Sequence, residues 1–173
     1  MLTKIFFANL LYKMIFNLKL LDRKKPIYIF DIDNTIAKTH QHPNFKGKLT
    51  KNIASDLKCY NNIKTLILEK YEQGNEIFFF SVRPIKLWAV TFSWLTKFKF
   101  KLKFHDLFFF QSPAHKVSII KFLCNKGFDI YFYDDMSYNH ENNKVLIYRH
   151  AIDDVKKLKI KYFDYKFLKK FNN

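Results

Sequence analysis

The stretch Tyr28-Ile-Phe-Asp31-Ile-Asp33-Asn-Thr35-Ile-Ala37 constrains the fold more than any other part of the chain. An apolar run follows Pro26 and ends in two acids one residue apart. Four apolar or β-branched positions before an acid read as a buried parallel strand. In open α/β sheets, ligands bind just beyond the carboxyl ends of such strands, which is where Asp31 and Asp33 fall. Two neighbouring carboxylates repel each other unless a proton or a cation lies between them. The simplest arrangement is a hard divalent cation held by oxygens, with one acid left to react.

The rest of the chain repeats the strand pattern. Residues 1–21 predict a helix that is apolar over more than half its circumference, suited to docking on a core or lying on a membrane surface. This helix, with the polar break after it, makes an N-terminal segment of 1–25, and 26–173 make the α/β domain. After the first strand (27–31), His40 and His42 lie in a loop, and about 36–50 has room for a small flap. Residues 50–73 are mainly helical, with Ile53, Leu57, Ile63, Leu66, Ile67 and Tyr71 near one stripe and Gly74 as a stop. A second strand is expected at Glu76–Phe80, then a helix from about Ile85 to Thr96 opened by Pro84. Lys97, Lys99, Lys101 and Lys103 alternate with apolar residues, as in a strand or a basic edge segment. Further strands are expected at 107–111, 129–133 and 144–148, with a helix from Pro113 to Gly127 and another from Ile152. Strands alternating with helices mean βαβ units and a parallel sheet, here with the order 3-2-1-4-5 and helices on both faces.

Four strand ends carry polar residues: Asp31/Asp33, Ser81/Arg83, Lys116 just past the third strand, and Asp134/Asp135. This is what a site at the carboxyl edge of a sheet requires. In the same order, these residues resemble the four motifs of the haloacid dehalogenase superfamily of phosphotransferases. Asp31-x-Asp33-x-Thr35 matches the first motif, Ser81 the second, Lys116 the third and Asp134-Asp135 the fourth, over residues 26–148. Two departures stand out: Asn34 replaces a common Gly, and Tyr133 replaces a small residue before the fourth motif. The resemblance implies a Rossmann-like three-layer α/β/α fold and a phosphatase. Asp31 would be the nucleophile, forming an aspartyl-phosphate, and Asp33 the acid and base. Magnesium would be held by Asp31, the Asp33 backbone carbonyl and Asp134, with Asp135 a further ligand or a partner of one. Thr35, Ser81 and Arg83 are the expected substrate-binding residues, and Lys116 would neutralise the phosphoryl group and restrain Asp31.

With 173 residues, 49% hydrophobic and 19% aromatic, the chain is long and apolar enough for a core of its own. The spacings between the motifs leave no room for a large cap, so the enzyme is expected to be capless or nearly so. An open site suits nucleotides or nucleic-acid ends, with sugar phosphates as the alternative. A non-catalytic phosphate-binding protein on the same scaffold is the rival class. The net charge of +16 fits nucleic acid or an anionic membrane surface, and equally a composition rich in Lys, Asn, Ile, Phe and Tyr. Cys59 and Cys124 are far apart and lack metal-type spacing, which points to a reducing, cytoplasmic setting.

Overall fold

Strand β1 (Ile27–Asp31) is buried along its whole length. It pairs in parallel with β2 (Glu76–Ser81) on one side and β4 (Ile130–Tyr133) on the other. Beyond β2 lies β3 (Leu107–Phe109), and beyond β4 lies β7 (Lys161–Phe163), giving a five-stranded parallel sheet. The computed structural model describes residues 10–18, 25–138, 140 and 144–172. Residues 1–9 and 19–24, which belong to the expected N-terminal helical segment, lie outside the described residues.

The expected fifth strand at 144–148 is not part of this sheet. Ser137–Tyr138 (β5) and Leu146–Ile147 (β6) form a small antiparallel hairpin instead. The reason is chain length. A parallel strand beside β4 needs a crossover of about a dozen residues or more, and residues 134–143 are too few. The crossover is made later by helix α6 (Arg149–Lys156), so the fifth place in the sheet falls to Lys161–Phe163. The C-terminal helix expected from Ile152 is therefore split into α6 and α7 (Tyr165–Asn172) around that strand.

Two further expectations change locally. The helical stretch 50–73 is two helices, α2 (Lys51–Asp56) and α3 (Asn61–Glu72). Leu57 leaves helical geometry, its carbonyl accepting a 2.7 Å bond from Trp94 Nε1, and Cys59 forms a strand-like bridge with Ala37. The lysine-rich stretch 97–103 is not a strand. It is irregular chain between α4 (Trp88–Thr96) and a single 3-10 turn at Phe104–Asp106. Leu107 pairs with Phe79, so the residues before it run beside the amino-terminal half of β2. At the start of the stretch, Lys97 Nζ donates to the Ser55 carbonyl of α2 at 3.1 Å.

Period-two alternation sends strand side chains to two cores. Tyr28, Phe30, Ile77, Phe79 and Leu107 face one layer, made by α2, α3, α4 and α7. Ile27, Ile29, Phe78, Phe80, Phe108, Ile130 and Phe132 face the other. That second layer holds α5 (Pro113–Asn125), α6 and the N-terminal helix α1, described over 10–18. Runs such as Phe78-Phe79-Phe80 suit a strand buried on both faces, where no polar alternation is needed. On α1, Phe16 stacks on Phe108 at 4.7 Å and meets Phe78 edge-on at 5.0 Å. Tyr12 Oη donates to the Phe109 carbonyl at 2.7 Å. The inner face of α1 is therefore part of the core.

Candidate active site

The strand alternation that builds the two cores also aims the first acids. Asp31 follows Ile27 and Ile29 in parity, and Asp134 follows Ile130 and Phe132, so both lie on the α5 side of the sheet. Ser112 caps α5, accepting from the His115 amide at 3.2 Å, with Pro113 in the first turn. That start fixes Lys116, whose Nζ reaches Asp31 Oδ1 at 2.5 Å and Asp134 Oδ2 at 2.6 Å. All three residues are buried. Burial works against the lysine's charge, but the carboxylates of Asp134 and Asp31 outweigh it and hold its pKa above the ordinary lysine value. For Asp31, burial raises the pKa well above the usual carboxylate range. Lys116 pulls it back, while Asp134, Asp135 and Asp33 raise it further.

Asp135 completes the acidic group. Its backbone N–H donates to the buried Thr35 Oγ1 at 3.3 Å, tying the end of β4 to the loop after β1. Its carboxylate receives the Ser137 hydroxyl, and His140 Nε2 lies 3.6 Å away. Burial and then Asp134 raise its pKa well above the usual range, against the Ser137 bond and Lys116. Oxygens of Asp31, Asp134 and Asp135 lie within 4.8 Å of one another. Three ionised carboxylates against one ammonium leave two negative charges in excess, in a place where water screens poorly. A hard divalent cation matches that excess in charge and in ligand type, so the donor set fits such an ion.

Asp33 is held separately. Arg83 Nε donates to its Oδ2 at 2.9 Å and Arg83 Nη2 to its Oδ1 at 2.8 Å, a bidentate pair. Thr39 Oγ1 adds a bond at 2.6 Å, and Arg83 Nη1 is anchored on Thr91 at 3.0 Å. Burial pushes the Asp33 carboxyl up, but the charge and hydrogen bonds of Arg83 and the Thr39 bond bring it below the ordinary value. Arg83 was expected at the substrate; it is turned onto Asp33. Ser81 is fully buried, and its Oγ accepts from the Arg83 amide at 3.1 Å, setting the turn that presents the guanidinium. Thr35 likewise serves as a backbone tie. Asn34 takes a φ of 60°, the left-handed conformation for which Gly is common, and uses its side chain besides. Its Oδ1 accepts from the His40 amide at 3.1 Å and lies 2.6 Å from His40 Nδ1.

Of the two loop histidines, His40 belongs beside the site, stacked on His140 at 4.5 Å, whereas His42 pairs with Asp56 at 3.4 Å away from it. Next to Asp33 opens a cleft of about 550 Å³, with Phe45, Lys48, Val82, Lys86, Tyr138 and Tyr148 among its walls. The loop expected to form a flap thus lines this cleft without helix or strand of its own. Thr39, Ser137, His140, Tyr138 and Tyr148 were not singled out from sequence. Nothing in their spacing marks them, since the hairpin and the 38–49 turns bring them in.

The acidic group makes a pH-dependent prediction. The carboxyls of Asp31 and Asp135 hold protons to higher pH in the folded than in the unfolded chain. Stability therefore falls as pH rises from about 4, the unfolded value, through their raised values. A divalent cation offsets that loss. Magnesium should raise Tm more at about pH 7.5 than at about pH 5. An equal or smaller gain at the higher pH would mean that these carboxylates do not hold the ion.

No family model matches the sequence, and no curated protein matches it. Solved structures do. A class C acid phosphatase from Bacillus anthracis with tungstate bound is similar at a TM-score of 0.52 and 15% identity, over 92% of this chain and 78% of that one. A second structure of the class C acid phosphatase from Bacillus anthracis aligns at the same TM-score and identity over 95% of this chain and 84% of its own. At such identity the likeness is one of fold. With the parallel sheet, the strand order about β1 and the helices on both faces, it makes this chain a haloacid-dehalogenase-like α/β fold.

Proposed function

We propose that the chain is a magnesium-dependent phosphomonoester hydrolase working through an aspartyl-phosphate on Asp31. The observation that carries this reading is the separation of two acids by two cations. Lys116 sits between Asp31 and Asp134, while Arg83 holds Asp33, two residues on, in a pair of its own. The fold shared with the acid phosphatases supports it, and tungstate, bound in one of their structures, is a tetrahedral oxyanion like phosphate.

Asp31 attacks phosphorus through a carboxylate oxygen. The bond from phosphorus to the leaving oxygen breaks, and Asp33 supplies that oxygen's proton. Water then attacks the aspartyl-phosphate, Asp33 takes the water's proton, and phosphate leaves with Asp31 restored. The Arg83 pair keeps Asp33 ionised at rest, the state needed to accept a proton from water. The approach of an anionic phosphoryl group raises the pKa of Asp33, so that it takes a proton from the incoming phosphate monoanion or from solvent and then delivers it to the leaving alkoxide. Lys116 neutralises the nucleophile and the phosphoryl oxygens. When bound, magnesium would screen the charge that opposes attack. Asp31, Asp134 and the Asp33 carbonyl would hold it, with Asp135 beside them.

The cleft beside Asp33 supports a leaving group of nucleoside size. Its volume of about 550 Å³ is that of a small-molecule pocket. Phe45 and the paired rings of Tyr138 and Tyr148, 4.5 Å apart, give it aromatic walls, and Lys48 and Lys86 add positive charge. We therefore rank nucleotides ahead of sugar phosphates. Nucleic-acid ends rank lower, because none of Lys97, Lys99, Lys101 and Lys103 is among the residues lining the cleft.

Phosphate release from a panel of nucleotides and sugar phosphates, with and without magnesium, tests the activity. Asp31→Asn should lower turnover about a thousandfold or more while the circular dichroism spectrum stays the same. Near wild-type turnover would rule out covalent catalysis by Asp31. Asp33→Asn should slow alkyl phosphomonoesters by roughly ten- to a hundredfold, and aryl phosphomonoesters less, because good leaving groups need little proton donation. An equal loss on both would rule out Asp33 as the acid. An oligonucleotide 5′-phosphate and a mononucleotide should show similar kcat/KM values that change little with salt. A steep salt dependence confined to the oligonucleotide would restore nucleic acid as the substrate.

A further inference from the structure

We propose that the outer face of α1 is a docking surface for an anionic lipid bilayer. One side of this helix is committed to the core, since Phe16 is 1% exposed and Tyr12 is bonded to the end of β3. Among the described residues, the opposite side is neither polar nor covered. Leu10, Leu11, Met14 and Leu18 are 47%, 54%, 52% and 73% exposed. At 100° per residue these four fall within an arc of roughly 100°, turned away from the Tyr12–Phe16 side. A surface helix with one face docked ordinarily turns charged and polar residues outward. Here the outward arc is apolar, and scattered exposure does not account for four neighbouring large side chains on three turns.

The charge beside this arc selects the occupant. Lys13, on the flank of the stripe, lies over the Phe122 ring at 5.4 Å, and Lys126 of the α5 C-cap lies over the same ring at 5.7 Å. Both ammonium groups thus lie over a ring of α5 that faces α1. Neither the described part of α1 nor α5 contains an Asp or Glu. An apolar stripe flanked by lysines, without acids, matches a surface that is apolar below and negative above, the profile of an anionic bilayer. No helix among the described residues is long and apolar enough to cross a membrane, so the contact is one of lying on the surface. The cleft beside Asp33 is lined by loops at the carboxyl edge of the sheet and by no described residue of α1, so docking leaves it open.

Sedimentation of the full chain with phosphatidylcholine vesicles, with and without phosphatidylglycerol, tests this without reference to any enzymatic activity. Binding should appear with phosphatidylglycerol, weaken with added salt, and be much lower on phosphatidylcholine alone. The pair Leu11→Glu with Met14→Glu changes only exposed side chains. It should keep the thermal midpoint and lower partitioning about tenfold or more. Lys13→Glu with Lys126→Glu should abolish the preference for the anionic lipid. Three results would overturn the proposal: no sedimentation of the wild type, unchanged partitioning of the Leu11/Met14 variant, or a dimer by light scattering that the same variant converts to monomer. The last would assign the stripe to a second copy of the chain.

Discussion

The ammonium of Lys116 is the interaction on which the centre of the molecule depends. Two strands that are neighbours in the sheet but about a hundred residues apart in sequence each end in a buried carboxylate. Without a cation between them, Asp31 and Asp134 would repel across a medium that screens poorly, and β1 and β4 would be driven apart where they must pair. Lys116 can stand there only because α5 begins at a fixed point past β3, capped by Ser112. It also stands at the positive end of a helix, where a lysine is ordinarily disfavoured. Two carboxylates at 2.5 and 2.6 Å outweigh that cost together with the cost of burial. Asp31, the helix start and the pairing of the two central strands are thus one electrostatic arrangement.

The second cation divides the labour of the acids. Asp31 and Asp33 are separated by one residue, yet burial among carboxylates raises the pKa of Asp31 while Arg83 and Thr39 lower that of Asp33. Environments that push two neighbouring acids in opposite directions are a mark of acid–base assignment. The split follows from the backbone. Asp31 is the last residue of a strand and keeps its parity towards α5. The chain then turns through Asn34 in the left-handed conformation, and Asp33 emerges beside the Ser81–Pro84 turn instead.

The sheet and the acids were legible in the sequence because both follow local rules. Apolar runs of four or five residues marked β1, β2 and β4, and the polar residue closing each run marked the site. The fifth strand was misread because Lys144–Tyr148 is the more apolar segment, whereas loop length decides which segment can cross over in parallel. Lys161–Phe163 takes the place through its position alone. The contacts of Ser81, Thr35 and Arg83 were not legible, for a different reason. Sequence shows that a polar residue stands at a strand end, but its partner is set by turn geometry. Here the partners are backbone groups and Asp33. His140, Ser137 and the Tyr138–Tyr148 pair come from a hairpin that has no sequence signature beyond two residues on each side.

The same topology separates chemistry from attachment. In a doubly wound sheet every reacting group must lie beyond the carboxyl ends of the strands, so the helical layers are free to carry other surfaces. Charge placed in the wrong part of such a molecule cannot assist the site. Lys97, Lys99, Lys101 and Lys103 follow α4 and are not among the residues lining the cleft. Apolar residues on a layer have the opposite freedom. The inner face of α1 closes the core over Phe78, Phe80 and Phe108, and once that face is fixed the outer one can change without disturbing Asp31 or Lys116. An exposed apolar arc survives in such a place only if burial of its inner face already holds the helix down. The 1% exposure of Phe16 and the bond from Tyr12 to Phe109 supply that hold.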